Sequence, residues 1–293
     1  MPHINQNLIK RSADAVKLLI ENSINTGASK VTVAFNTFFK NIEVSEDRNR
    51  VSAIRREIIQ VTDNGNGISQ TAVQTALAPI IDVAFVEIRT RQKNEKSGIF
   101  IAFEDSKITK QEDVSCDDGT SVSVKNLLWN KPERREHLKS PDKEFQYIIS
   151  EIKRIALANP DIELEFLVND NVIYRLQTTG FKQRILHIFG NNFSSKLLNI
   201  EAKTDTVNLY GFVTSPQSAN KNPEQFLFVN GHFTQNKKIR NAILTAYENK
   251  LESENLPHYF IHIEVKTENE NDICSVLTEA ANKALETSNS LFD

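Results

Sequence analysis

The sequence predicts an α+β protein built from two compact units that meet near residue 181. Three observations carry that reading. The chain has 293 residues, long for one ordinary core and comfortable for two. Helix-spaced and strand-type apolar segments intermix along it, with no internal repeat and no low-complexity tract. The pattern changes character around Gly180, where a hairpin gives way to a new short helix.

The elements follow in order. SADAVKLLIENSINTGA is a helix, with Ser12 fitting as N-cap, Asp14 in the first turn, Val16, Leu19, Ile20 and Ser23 at helical spacing, and Gly27 closing it. KVTVAF and IIQVTD are strands. Between them the charged insertion EVSEDRNRVSAIRRE suggests an exposed hairpin tip or a short helix. TAVQTALAPIIDVAFVEIRTR begins helical, is interrupted at Pro79, and finishes as a strand over Val86–Thr90. GIFIAFED and GTSVSVKNLL alternate like strands, and FQYIISEIKRIALANP is an amphipathic helix stopped near Asn159-Pro160. IELEFLVND and VIYRLQ form a hairpin around Asp170-Asn171. Beyond Gly180 come the helix RILHIFG, strands in LLNIEAK, VNLYGFV and QFLFVNG, a helix from Lys237 to Leu251, the strand YFIHIEV, and a last helix from Asp272 to Glu286.

Composition narrows the function classes. With 39% hydrophobic and 25% charged residues this is an ordinary globular composition, and a net charge of -3 gives no global attraction to polyanions. Nucleic-acid binding would therefore need a local basic face. Cys116 and Cys274 stand far apart with no second Cys or His at ligand spacing, which implies a reduced compartment and no zinc site. No run reaches the length of a membrane span and MPHINQNLIK lacks a signal-type apolar core, so a cytoplasmic location is expected. His187, His232, His258 and His262 show no metal or triad spacing and read as surface or strand residues.

The chemistry concentrates in Asp63-Asn64-Gly65-Asn66-Gly67. Glycine at 65 and 67 permits positive φ and close approach of a flat group, while a carboxylate at a strand end can accept from an exocyclic amine, which suits an adenine. Asn-Gly is equally the commonest short-hairpin signal, so the pentapeptide alone leaves both readings open. The helix upstream shifts the balance. Glu21 and Asn22 lie on it, and an Asn beside a nucleotide site can ligate Mg²⁺ through its oxygen.

Taken in order, helix, ENS, strand, strand and DNGNG resemble the GHKL ATPases, and within them the N-terminal half of the MutL mismatch-repair family. The family pattern R-P-A-S-V-V-K-E-L-V-E-N-S is met here by Arg11 to Ser23. GTSVSVKNLLWNKPERREHLKS is similar to the family's G-T-x-x-x-V-x-x-L-F-Y-N-x-P-A-R-R-K-F-L, with Gly119, Thr120, Asn130, Pro132, Arg134 and Arg135 in matching places. FLFVNGHFTQNKKIRNAILTAYENKL resembles the second MutL domain. The resemblance implies a GHKL-type α/β sandwich over residues 1–180 and a ribosomal-protein-like α+β second domain over 181–293. It also implies ATP or ADP, held weakly, with Mg²⁺ as cofactors, and nucleotide contacts from Asn22, Asp63, Gly65, Gly67 and Thr120, with Asn22 on the metal. Implied partners are DNA and a MutS-type or MutL-type protein.

Departures from the family pattern matter as much. The general-base Glu falls at Leu18, one turn before Asn22 on the same helix face. A base contributes on the order of 10² to 10⁴ in rate, and leucine supplies none of it. Glu21 points a quarter-turn away. The family's lid, beginning H-A-T-S-K and ending G-F-R-G-E-A-L-A-S-I, has no counterpart, since no glycine lies between Gly67 and Gly98. The N-V-H-P-x-K loop is replaced by KTENENDIC, with Lys266 a poor stand-in. Lys237, Lys238 and Arg240 open the helix that the resemblance would set against DNA; Lys131, Arg134 and Arg135 fit a structural turn. The expected function is a mismatch-repair scaffold with impaired ATP turnover. An active ATPase using Glu21 and a nonstandard lid, or a decayed paralogue, are the alternatives.

Overall fold

The computed structural model describes residues 9–40, 54–252, 254–266 and 269–289. Met1–Lys153 with Asp161–Thr178 form one compact unit, and Arg154–Pro160 with Thr179–Asp293 form the other. Among the described residues no helix is long and apolar enough to cross a membrane.

The first unit contains α1 (Ser12–Asn25), β1 (Lys30–Lys40), β2 (Ile54–Asp63), α2 (Gln70–Ala76), α3 (Ala78–Ile81), β3 (Phe85–Arg91), β4 (Gly98–Glu104) and β5 (Lys107–Val114). After them come β6 (Gly119–Lys125), α4 (Pro132–Glu136), α5 (Pro141–Ala158, whose last residues belong to the second unit), β7 (Glu163–Val168) and β8 (Asn171–Leu176). Its eight strands run β5-β4-β3-β6-β2-β1-β7-β8, with β1 and β7 parallel. Alternation buries one face: Val31, Val33 and Phe35 of β1, Ile59 and Val61 of β2, Leu164 and Phe166 of β7. The helix α1 lies against β1 and β2, burying Ala15, Val16, Leu19 and Ile20, and Phe145 of α5 stacks between Phe35 and Phe166.

Several local expectations change. Arg11, not Ser12, is the N-cap of α1: the Asp14 carboxylate accepts from the Lys10 and Arg11 amides at 2.8 and 3.1 Å, and the Ser12 hydroxyl donates to Glu57 at 2.9 Å. The turn between β7 and β8 is Asn169-Asp170, at φ of 47° and 64°, one residue earlier than expected. Strand β5 was not legible because it lies at the sheet edge with every residue before Val114 exposed, so no apolar alternation marks it. Of the charged insertion, residues 43–53 lie outside the described residues, and Ile54–Glu57 belong to β2.

The second unit contains α6 (Phe181–Phe189), β9 (Leu197–Lys203), β10 (Val207–Thr214), β11 (Gln225–Val229), β12 (His232–Phe233), α7 (Lys237–Ala246), β13 (Tyr259–Val265) and α8 (Glu270–Asn289). Strand order is β12-β11-β13-β10-β9, with β11 and β13 parallel and α7 between them in sequence. The two faces of this sheet differ in kind. One is aliphatic, packing Leu209, Val213, Ile261 and Ile263 under α7 and α8. The other is aromatic, packing Phe226, Phe228 and Phe260 with Ile185 and Leu186 of α6. Asn236 caps α7 through amides of Lys238 and Ile239, at 2.9 and 3.3 Å. That helix stops at Ala246, short of Leu251, and Asn249 takes a φ of 62°.

Candidate nucleotide site

Asp63 ends β2 as a buried carboxylate, 9% exposed, and three elements supply its donors. From α1 the Ser23 hydroxyl donates to Oδ2 at 2.7 Å. From the loop and from β6 the amides of Gly65 and Thr120 donate to Oδ1 at 2.9 and 3.3 Å. Ser23 reaches it because Leu19, Ile20 and Ser23 share the buried face of α1. Thr120 reaches it because register pairs it directly with Asp63. A carboxylate has about four lone-pair sites, so three protein donors leave one for an incoming amine.

Behind Asp63 the Thr90 hydroxyl ties the loop to the sheet. It donates to the Gly119 carbonyl at 3.1 Å, lies 3.1 Å from the Thr120 hydroxyl, and accepts from the Ile68 amide at 2.8 Å. Asn64 caps the other side, its Oδ1 accepting from the Ser29 and Lys30 amides at 3.0 and 2.9 Å. The hairpin alternative is excluded, since β2 pairs with β1 and β6 and leads into α2. The glycines serve protein neighbours. A Cβ on Gly65 would stand 2.6 Å from the Thr26 hydroxyl, and one on Gly67, at φ +72°, 2.3 Å from the Arg91 carbonyl. Both glycines are thus required by close protein neighbours, a side chain at Gly65 and backbone at Gly67.

Asn22 donates through Nδ2 to the Ala76 carbonyl at 3.3 Å, which leaves its Oδ1 for another partner. One oxygen does not make a Mg²⁺ site, because this ion is held with several oxygens and nucleotide phosphates. No cluster of three His, Cys, Asp or Glu side chains able to hold a metal occurs among the described residues. Leu18 is half-buried one turn earlier. Glu21 lies 3.8 Å from Lys17. Between α3 and β3 only Asp82, Val83 and Ala84 intervene. Asn130 donates to the Asp82 carbonyl at 2.9 Å and Lys131 sits 3.4 Å from its carboxylate, so this turn braces that junction. Sequence reasoning missed Ser23 and Thr90 as site residues; the inward register of Thr90 between buried β-positions was the available signal.

The basic residues of α7 are brought to one end of the helix but not as a free patch. Lys237 is exposed. Lys238 pairs with Glu270 at 2.8 Å, which raises the lysine pKa and lowers that of the glutamate. Arg240, expected exposed, is half-buried with its Nε out of solvent, and it turns toward Tyr259. Burial pushes the Tyr259 phenol up to about 12, against the opposing pull of that guanidinium. His258 and His262, expected as surface or strand residues, are both buried, and burial lowers both pKa values.

A family profile described as "DNA mismatch repair protein, C-terminal domain" matches residues 185–273. The DNA mismatch repair protein MutL of Parabacteroides distasonis is 33% identical over 328 residues, covering 97% of this chain and 51% of that protein. The MutL of Christiangramia forsetii is 33% identical over 286 residues, covering 88% and 44%. The chain belongs to the MutL family. The Aquifex aeolicus MutL ATPase domain complexed with ADP superimposes with a TM-score of 0.71 at 26% identity, over 92% of this chain and 98% of that one. The fold is thus the GHKL-type α+β arrangement of MutL ATPase domains, and the chain spans about half the length of the MutL proteins it matches. The 328-residue alignment is longer than the 293-residue chain, so the Parabacteroides MutL contains stretches with no counterpart here.

Proposed function

We propose that this chain is a MutL-type mismatch-repair module that binds adenine nucleotide weakly, turns ATP over slowly or not at all, and acts as a scaffold for DNA and a MutS-type or MutL-type partner. On this reading residues 1–180 are the nucleotide-binding domain and 181–293 the second domain. The carrying observation is the contrast between a complete Asp63 cluster and a junction of three residues between α3 and β3, where the family's phosphate-gripping lid would fall. Adenine would rest against Asp63, Gly65, Gly67 and Thr120. Asn22 Oδ1 would share Mg²⁺ with nucleotide phosphates, which supply the charge that the protein does not. With Leu18 in the base position and Glu21 beside Lys17, α1 offers no carboxylate one turn before Asn22 to activate water. The relative solved with ADP supports adenine binding as the retained half of the activity.

Calorimetry with adenosine, ADP and a nonhydrolysable ATP analogue, with and without Mg²⁺, tests this. Similar, weak affinities for all three are expected. A strong preference for the triphosphate would refute it.

A further inference from the structure

The sequence holds three Asn-Gly pairs, Asn64-Gly65, Asn66-Gly67 and Asn230-Gly231. Asparagine before glycine is prone to self-modification, because no Cβ keeps the glycine nitrogen away from the Asn carboxamide carbon. In a folded chain the reaction needs a side chain free to turn and a glycine amide free to attack. The fold withholds both from Asn64. Its Oδ1 accepts from the Ser29 and Lys30 amides, its Nδ2 donates to the Ser29 hydroxyl at 3.0 Å, and the Gly65 amide is committed to Asp63 at 2.9 Å. Asn230 is held at both ends of its carboxamide by Val265, whose amide donates to Oδ1 at 2.8 Å and whose carbonyl accepts from Nδ2 at 3.3 Å. Asn66 differs. It is exposed, and its Nδ2 sits over Gly27, which has no side chain to bond it. Neither the Asn66 carboxamide nor the Gly67 amide has a hydrogen-bond partner among the described residues.

We propose that Asn66-Gly67 is a spontaneous modification site, which deamidates ahead of the other two pairs and thereby silences the nucleotide site. The Gly67 nitrogen bonds to the Asn66 Cγ, the Cγ–Nδ2 bond breaks, and the displaced nitrogen leaves as ammonia with the proton that Gly67 gives up. The product is a succinimide. Water adds to one of its two carbonyls and opens the ring to aspartate or isoaspartate, so water is the one co-reactant. Isoaspartate carries the main chain through the side-chain methylene and lengthens it by one atom just before Gly67. Two anchors bracket that bond. The Asn66 amide donates to the Thr26 carbonyl at 2.9 Å and the Ile68 amide to the Thr90 hydroxyl at 2.8 Å. Gly67 between them is pressed against the Arg91 carbonyl. The added atom must displace one of these contacts, and Gly65, a donor to Asp63, is the next residue upstream of Asn66. The consequence for nucleotide rests on the function proposed above; the chemistry is tested apart from it.

The full chain is incubated at mildly alkaline pH, folded in one arm and in urea in the other. Its peptides are followed by mass spectrometry, with fragmentation that separates residue 64 from 66 and aspartate from isoaspartate. In the folded chain Asn66 should convert first, with Asn64 and Asn230 roughly 5- to 150-fold slower, the factor for releasing two hydrogen bonds before reaction. In urea the three rates should converge, which shows that the fold sets the order. Equal rates in the folded chain, or Asn64 or Asn230 reacting first, overturn the site. Calorimetry with ADP before and after conversion tests the consequence. The converted chain should lose the affinity of the fresh one, while Asn66→Gln, incubated alike, should keep its own. Conversion with ADP affinity unchanged overturns the silencing. A fresh chain that binds no ADP overturns the nucleotide reading and leaves the modification site standing.

Discussion

The two ends of the candidate nucleotide site differ in what holds them. At the Asp63 end the carboxylate takes donors from α1, β6 and the loop itself, Thr90 of β3 holds the Gly119 carbonyl behind it, and the glycines pack against Thr26 and Arg91. At the opposite end, α3 passes into β3 through Asp82–Ala84, and half-buried Leu18 sits one turn before Asn22. On the proposed function, the difference gives a physical reason for one end to outlast the other. The Asp63 cluster ties α1, β3, β6 and the loop together through buried hydrogen bonds. A phosphate-gripping loop makes contacts only when nucleotide is bound, so losing it leaves the core intact.

The largest effect should come from breaking the retained end. Asp63→Ala strips acceptors from the Ser23 hydroxyl and from the Gly65 and Thr120 amides, all buried, and should cost roughly 3 to 5 kcal/mol by urea unfolding, since each orphaned donor costs about 1 to 3 kcal/mol. A loss under about 1 kcal/mol would show that the cluster is not structural. Gly67→Ala comes next. A left-handed φ costs a side chain about 1 to 2 kcal/mol, and the contact with the Arg91 carbonyl forces a shift on top of it, so the unfolding midpoint should fall clearly while the cooperative transition remains.

Restoring the lost end should do far less. Leu18→Glu supplies a carboxylate but no held γ-phosphate for a water to attack, so steady-state ATP hydrolysis should stay at background. Turnover that appears with Leu18→Glu and vanishes with Asn22→Ala would show that the phosphate end is intact.

Smaller effects belong to the second unit. Burial lowers the pKa values of His258 and His262 below the unfolded value of about 6.5, so folding favours their neutral forms. The unfolded chain therefore binds more protons at mildly acid pH. Stability should be full above about pH 6.5 and fall as pH drops toward the lowered folded values. Thermal melts at a series of pH values check the sign, and His262→Gln should flatten the slope. Least of all, because Lys238 is paired and Arg240 is turned toward Tyr259, Lys237→Glu should lower the log-log salt slope of DNA binding by only about 1, and a three-charge patch would lower it further on triple substitution.

Much of this was written locally. Helix α1 was legible from Val16, Leu19, Ile20 and Ser23 at one spacing, and the interruption at Pro79 from the ring itself, because these signals need only neighbouring residues. The Asp63 loop and the motifs at Arg11–Ser23 and Gly119–Arg135 fixed the family in the same way. Tertiary structure decided which donors meet Asp63, since Ser23 and Thr120 lie 40 and 57 residues away and are joined by packing and register. It also decided that Gly67 faces Arg91, that Arg240 turns inward, and that β5 pairs at an edge despite an exposed, polar sequence. Periodicity reports which face of a segment is buried, but not what lies against it, and these sites are made by what lies against them.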